Sequence, residues 1–121
     1  MLFRSLLLEA LSDLDALEQR AALTSPGGGR IYNPGWHQAL ELNAMIDVSR
    51  MCAVAAHRRE ESRGAHTRDD FPDTDHKHWG KVNSVITMIE DGSLDIEFST
   101  YPEIPNELKS LLDADDLYEE E

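Results

Sequence analysis

The chain has 121 residues, 40% of them hydrophobic and 29% charged, with 24 Asp and Glu against 11 Lys and Arg and a net charge of -13. That length suits one domain with a modest core, and the balance is too apolar for wholesale disorder. The acidic field repels phosphate backbones, so nucleic acid is excluded as a first partner.

Met1 to Leu8 has the greasy start of a signal peptide, but Glu9, Asp13 and Asp15 interrupt it almost at once. No apolar run nears the roughly 20 residues that cross a bilayer, so no direct membrane contact is expected. The spacing of Phe3, Leu7, Ala10, Leu14, Leu17 and Ala21 alternates steps of four and three, which predicts one buried face of a helix over 1–23. Leu6, Leu8 and Leu11 widen that stripe.

Thr24-Ser25-Pro26-Gly27-Gly28-Gly29 ends the helix in a flexible loop. It lacks the Lys-Ser/Thr and the preceding strand of a phosphate cradle. Asn33-Pro34 has cap-and-first-turn grammar and opens a long helix over 33–62, about 40 Å in length. Ala39, Leu42, Ile46, Ser49, Ala53 and Ala56 form one face, and Leu40, Ala44, Val48, Met51 and Ala55 a second. Two such faces predict burial on two sides. Asn43, Asp47, Arg50, His57 and Glu61 make a polar stripe for water or a partner. Cys52, the only cysteine, is expected as a small buried side chain. It leaves no disulfide framework, and a reducing, cytoplasmic compartment is expected.

Gly64 is expected to end the long helix in a left-handed conformation, followed by an ordered, irregular loop over 63–79. Val, Ile and Thr between Lys81 and Glu90, alternation at Leu94, Ile96 and Phe98, and Asp91-Gly92 between them predict a β-hairpin over 81–100. Trp79, Val82, Ile86 and Ile89 also match helical spacing, which makes the first arm the weaker one. A short helix is expected over Asn106 to Leu112. Residues 113–121 hold six acids in nine and read as a solvated tail.

Chemistry concentrates after the long helix, where Arg58, Arg59, Arg63 and Arg68 are four of the eight arginines of an acidic chain. Guanidinium forks suit carboxylates. Two outcomes follow: a self-contained network with Glu60, Glu61, Asp69 and Asp70, or a surface for docking a neighbouring domain or subunit through Arg59, Glu61, Arg63, His66, Arg68 and Asp69. Ser62, His66 and Asp69 have the residue types of a nucleophilic triad, but consecutive positions do not make one. Asp73, Asp75, His76 and His78 read as an exposed polar loop rather than a metal site. His57 reads as a hydrogen-bonded residue at a helix end.

Tyr32-Asn33-Pro34 with Trp36, Ala39-Leu40-Glu41-Leu42 with Asn43 and Met45, then Glu61-Ser62-Arg63-Gly64-Ala65-His66, Arg68-Asp69 and Phe71-Pro72 carry a likeness to a known family. The pattern resembles the C-terminal domain of the flavoprotein subunit of succinate dehydrogenase and fumarate reductase, to which L-aspartate oxidase is related. The resemblance covers about Leu14 to Gly92. It implies a helical bundle appended to a larger FAD-dependent enzyme that interconverts succinate and fumarate. It maps no catalytic, cofactor-binding or metal residue onto this chain, so the chain alone is expected to be inactive and to bind no cofactor itself. The implied partners are the flavin-binding and capping domains of the parent protein and its iron-sulfur subunit, with the assembly peripheral to the inner face of the membrane. The family's bundle has three helices and one precedes the Phe3 helix, so another copy of this chain or another chain is expected to cover the apolar stripes left here. A stand-alone helical module that self-associates is the alternative.

The residues and the resemblance together predict a mainly α single domain over 1–121. It is an up-and-down, spectrin-repeat-like helical bundle with two long helices, an irregular Arg-rich segment and a C-terminal β-hairpin.

Overall fold

A computed structural model describes residues 4–109 of the chain. Helix α1 spans Arg4–Ala21 and helix α2 spans Pro34–Arg58. Arg50 of α2 pairs with Asp15 and with Glu18 (2.6 Å) of α1, while Arg4 at the start of α1 lies near His57 at the end of α2, so the helices run antiparallel. Their apolar seam is thin: Leu7 and Ile46 are the buried residues of the two helices. Arg50, read from the sequence as part of a stripe for water or a partner, instead faces the other helix.

Asn33 caps α2 as its type and the following Pro34 require, its Oδ1 accepting the Gly35 N–H at 3.0 Å. The same side chain donates to the carbonyls of Gly27 (2.7 Å) and Gly29 (3.0 Å). The glycine loop expected to be flexible is therefore tied to the helix it precedes.

The second helix ends at Arg58, short of the expected residue 62. Arg59 has already turned to an extended backbone (φ -84°, ψ 110°), although its N–H still reaches the Ala55 carbonyl at 3.0 Å. Gly64 does adopt a left-handed φ of +56°, but in a different place from the one expected. It sits in a tight turn where Arg63 and His66 exchange both backbone hydrogen bonds, at 2.8 and 3.0 Å. Glycine as first central residue is what a two-residue hairpin loop of this kind favours.

After a single 3₁₀ turn at Trp79–Lys81, strands β1 (Val82–Met88) and β2 (Leu94–Thr100) form an antiparallel hairpin, with Val82 opposite Thr100 and Met88 opposite Leu94. The helical spacing from Trp79 to Ile89 loses to β-branched content. Gly92, at φ +82°, closes the turn by donating to the Ile89 carbonyl at 2.9 Å. Val82, Ser84, Ile86 and Met88 share one face with Leu94, Ile96 and Phe98. A cleft of about 610 Å3, lined by Leu11, Val54, Met88 and Leu94 among others, separates the tip of this hairpin from the helices.

A last short helix, α3, spans Asn106–Lys109. The remainder of the helix expected to Leu112, the acidic tail over 113–121 and Phe3 lie outside the described residues. Cys52 is exposed rather than buried, because it lies off the face of α2 that meets α1. The second apolar face of α2 is open, with Leu40 69% and Val48 58% exposed. Among the described residues no helix is long and apolar enough to cross a membrane.

Candidate functional site

The two largest fully buried side chains of the described residues are charged: Arg68 and Glu61, each 1% exposed. Both belong to the segment 59–80, and each is buried because it is saturated with partners.

Arg68 closes the C-terminal end of α2. Its Nη1 donates to the carbonyls of Ala56 (3.0 Å), His57 (3.1 Å) and Arg59 (3.1 Å), which the end of a helix leaves without amide partners. The other edge of the fork grips Asp70, with Nε to Oδ1 at 2.7 Å and Nη2 to Oδ2 at 2.6 Å. Those bonds hold the Asp70 carboxyl down at about 2, with a smaller contribution from the backbone N–H of Arg4. One Arg–Asp pair thus places a cation at the negative end of α2 and an anion at the positive end of α1. The Phe71 ring covers the guanidinium at 5.0 Å.

Glu61 is the second hub. Its Oε1 accepts from Arg59 Nε (2.8 Å) and Arg63 Nε (3.0 Å), and its Oε2 from Arg63 Nη2 (3.2 Å) and the Asp75 N–H (2.8 Å). Burial alone would raise its proton affinity, but the bonds from Arg63, the Asp75 amide and Arg59 outweigh it and hold the carboxyl at about 2. Arg59 goes on to the Trp79 carbonyl at 2.8 Å and lies over the Trp79 ring at 5.5 Å. Trp79 meets Phe98 edge-to-face at 5.0 Å, which joins the charged hub to the hairpin. Gly80 permits the approach, since a Cβ there would lie 3.1 Å from Arg63 Nη2.

Ser62 ties the loop to itself: its hydroxyl accepts the Arg68 N–H at 2.8 Å and donates to the Phe71 carbonyl at 2.8 Å. It lies in a structural bracket, not in a triad with His66 and Asp69. His66 Nε2 is 3.3 Å from the Arg59 carbonyl. Asp69 does not pair with Arg68; its Oδ2 is buried without a hydrogen-bond partner, and Asp70 takes the guanidinium. His57, expected to be hydrogen-bonded at the helix end, has a buried Nε2 without a partner. Among the described residues no cluster of three or more His, Cys, Asp or Glu is placed to hold a metal ion.

The structure therefore brings Arg59, Glu61, Arg63, His66 and Arg68 into one network and leaves Asp69 at its edge. The partners missed by sequence reasoning are the Trp79 carbonyl and the Asp75 backbone, which no side-chain pattern announces. One signal was present. Arg59, Glu61 and Arg63, and again Arg68 and Asp70, are spaced by two, the period at which side chains of an extended chain share a side.

Residues 3–111 match the model of the family described as fumarate reductase flavoprotein C-term. The chain belongs to this family. Among its relatives is a succinate dehydrogenase flavoprotein subunit of Coxiella burnetii, 43% identical over 74 residues that make up 61% of this chain and 12% of the relative. A fumarate reductase flavoprotein subunit of Mycobacterium tuberculosis is 33% identical over 93 residues, 76% of this chain and 16% of that one. The fold of this flavoprotein C-terminal domain is shared with the solved Mycobacterium smegmatis Sdh1 in complex with UQ1, at a TM-score of 0.79 and 31% identity, over 95% of this chain and 20% of that chain. The domain thus spans between 12% and 20% of the length of these relatives.

Proposed function

We propose that this chain is the C-terminal helical domain of an FAD-dependent oxidoreductase that interconverts succinate and fumarate, and that its work there is structural: it docks and stiffens, while the redox chemistry belongs to the parent protein. The observation that carries this is the family match over residues 3–111, joined to a site whose strongest groups are consumed in holding backbone together. Residues 1–121 act as one domain, an up-and-down, spectrin-repeat-like bundle completed by helices of the larger protein.

The docking surface comprises Arg59, Glu61, Arg63, His66, Arg68 and Asp69 in two layers. Glu61 and Arg68, both 1% exposed, shape it from beneath. The side chain of Arg63, 37% exposed against 20% for Arg59, is the more solvent-facing of the two arginines on Glu61. Those partners are the flavin-binding and capping domains and the iron-sulfur subunit, with the whole held at the cytoplasmic face of the membrane through other subunits. The open apolar face of α2 serves the same contacts, and in the isolated chain it pairs two copies.

The test is purification of the tagged chain from its source cells. Co-purification with a polypeptide showing flavin absorbance, and succinate-dependent reduction of an artificial acceptor by that complex, is expected. The recombinant chain supplied with FAD alone should show none. A chain that purifies without flavin, or that turns over succinate by itself, overturns the proposal.

A further inference from the structure

His57 stands in the last turn of α2, at the seam where the end of that helix meets the beginning of α1. Its Nε2 is buried and has no hydrogen-bond partner among the described residues. The charged groups around the ring are Arg4 from α1, Arg68 from the irregular segment, and Arg58 and Glu60 from its own stretch of chain. On the irregular segment Asp70 is engaged by Arg68, and Asp69 has a buried Oδ2 without a hydrogen-bond partner. The charges that act on the ring are therefore three guanidinium groups against the Glu60 carboxylate.

A histidine at a helix C-terminus ordinarily gains from being protonated, because the terminal carbonyls form a negative pole. Here that pole is already occupied: the carbonyls of Ala56, His57 itself and Arg59 accept from Arg68 Nη1. A neutral imidazole tolerates the arrangement, since one ring nitrogen carries no proton and Nε2 can be that one. A protonated imidazole cannot. Both nitrogens then become donors, and Nε2 becomes a buried N–H with no acceptor.

We propose that His57 is an acid-sensitive latch: the neutral ring lets the ends of α1 and α2 close on each other, and uptake of a proton forces that seam apart. Burial first, and then the field of Arg4, Arg68 and Arg58, lower the proton affinity of the ring below its ordinary value of 6.5. The unfolded chain takes up the proton at the ordinary value, whereas the folded chain resists until the pH is lower. Stability is thus complete above about pH 6.5 and declines as the pH falls from there toward the folded value. Glu61 and Asp70 begin to lose their contributions only as the pH falls below their ordinary values of 4.5 and 3.8, so a comparison that stops at about pH 5 stays above them.

Two measurements on the full chain test the latch. Ring titration by NMR should place the His57 midpoint below about 6.5, and the thermal midpoint should fall between about pH 8 and pH 5 by on the order of 4 °C more in the wild type than in His57→Gln. A His57 midpoint at or above the ordinary value overturns the proposal, as does a His57→Gln variant that tracks the wild type. Should that variant fail to fold, Arg4→Gln replaces it: removal of one cation must raise the His57 midpoint, and an unmoved midpoint overturns the latch.

Discussion

The helix pair and the segment 59–80 invert the usual relation between regularity and packing. The helices are the regular part, yet they bury little, and Leu6, Leu8, Leu40, Met45 and Val48 stay exposed. The segment has almost no secondary structure, yet it holds the most completely enclosed side chains of the described residues, and both are ionised. An apolar face gains burial from any apolar neighbour, so the helices can leave theirs open to a larger body. A buried ion tolerates only full and specific satisfaction. The lesson is a division of labour: precision resides in the loop, and adhesiveness in the helices.

The largest expected effect comes from breaking the loop at its deepest point. Arg68→Ala removes a cation that serves three carbonyls and Asp70 at once, and should cost about 3–5 kcal/mol in urea unfolding. Arg68→Lys should recover little of this, because an ammonium cannot present two parallel donors to Asp70 while also reaching the helix end. If Arg68→Ala unfolds within 1 kcal/mol of the wild type, order in this segment does not depend on the fork.

Glu61→Gln is the next step down, at about 2–3 kcal/mol, since the amide keeps the shape but turns a donor toward Arg63 or the Asp75 N–H. It also carries a pH signature. The Glu61 carboxyl lies at about 2 when folded against an ordinary 4.5, a depressed value. Its stabilisation is therefore present above about 4.5 and is lost as the pH falls toward 2. Acid unfolding of the wild type should show that loss, and the Gln variant a flatter profile. Equal acid profiles would mean that Glu61 is not held ionised by its partners.

Smaller again is Gly64→Ala, at about 1–2 kcal/mol, because a φ of +56° is strained for any residue with a Cβ. Space is not the issue, as nothing lies within 4 Å of the added carbon. Thermal unfolding of this variant measures how much the Arg63–His66 turn contributes separately from its charges.

Legibility divided along the same line. Both helices, the Asn33 cap and the hairpin follow from spacing and residue type, which act over a few neighbours. The end of α2 did not: the run from Arg59 to Glu61 is compatible with helix, and Gly64 offered a plausible stop. What ends the helix is the Arg68 guanidinium, which takes the terminal carbonyls from a position ten residues beyond Arg58 in sequence. Once Arg59 is extended, the spacing of two between Arg59, Glu61 and Arg63 becomes a shared side, and the network forms. Which of Asp69 and Asp70 pairs with Arg68 was open for the same reason, because only the extended backbone decides which neighbour faces the guanidinium. Exposure of Cys52 was illegible for a different cause: two apolar faces predict two partners, and the chain supplies one.

The smallest expected effect on stability is the sharpest test of the helices' part in this contrast. Leu40 and Val48 lie two turns apart on the open face of α2, and their exposure means that neither contributes much to the fold of the chain by itself. The double substitution Leu40→Ser and Val48→Ser should change unfolding stability by no more than about 0.5 kcal/mol per site. It should nevertheless abolish self-association in sedimentation and strip flavin from the purified assembly, because an apolar contact face loses its driving force when polar groups replace it. Loss of several kcal/mol in the isolated chain would show instead that these residues support the helix pair. In that case adhesiveness would not reside on this face, and the division between a self-sufficient loop and an open helix pair would have to be abandoned.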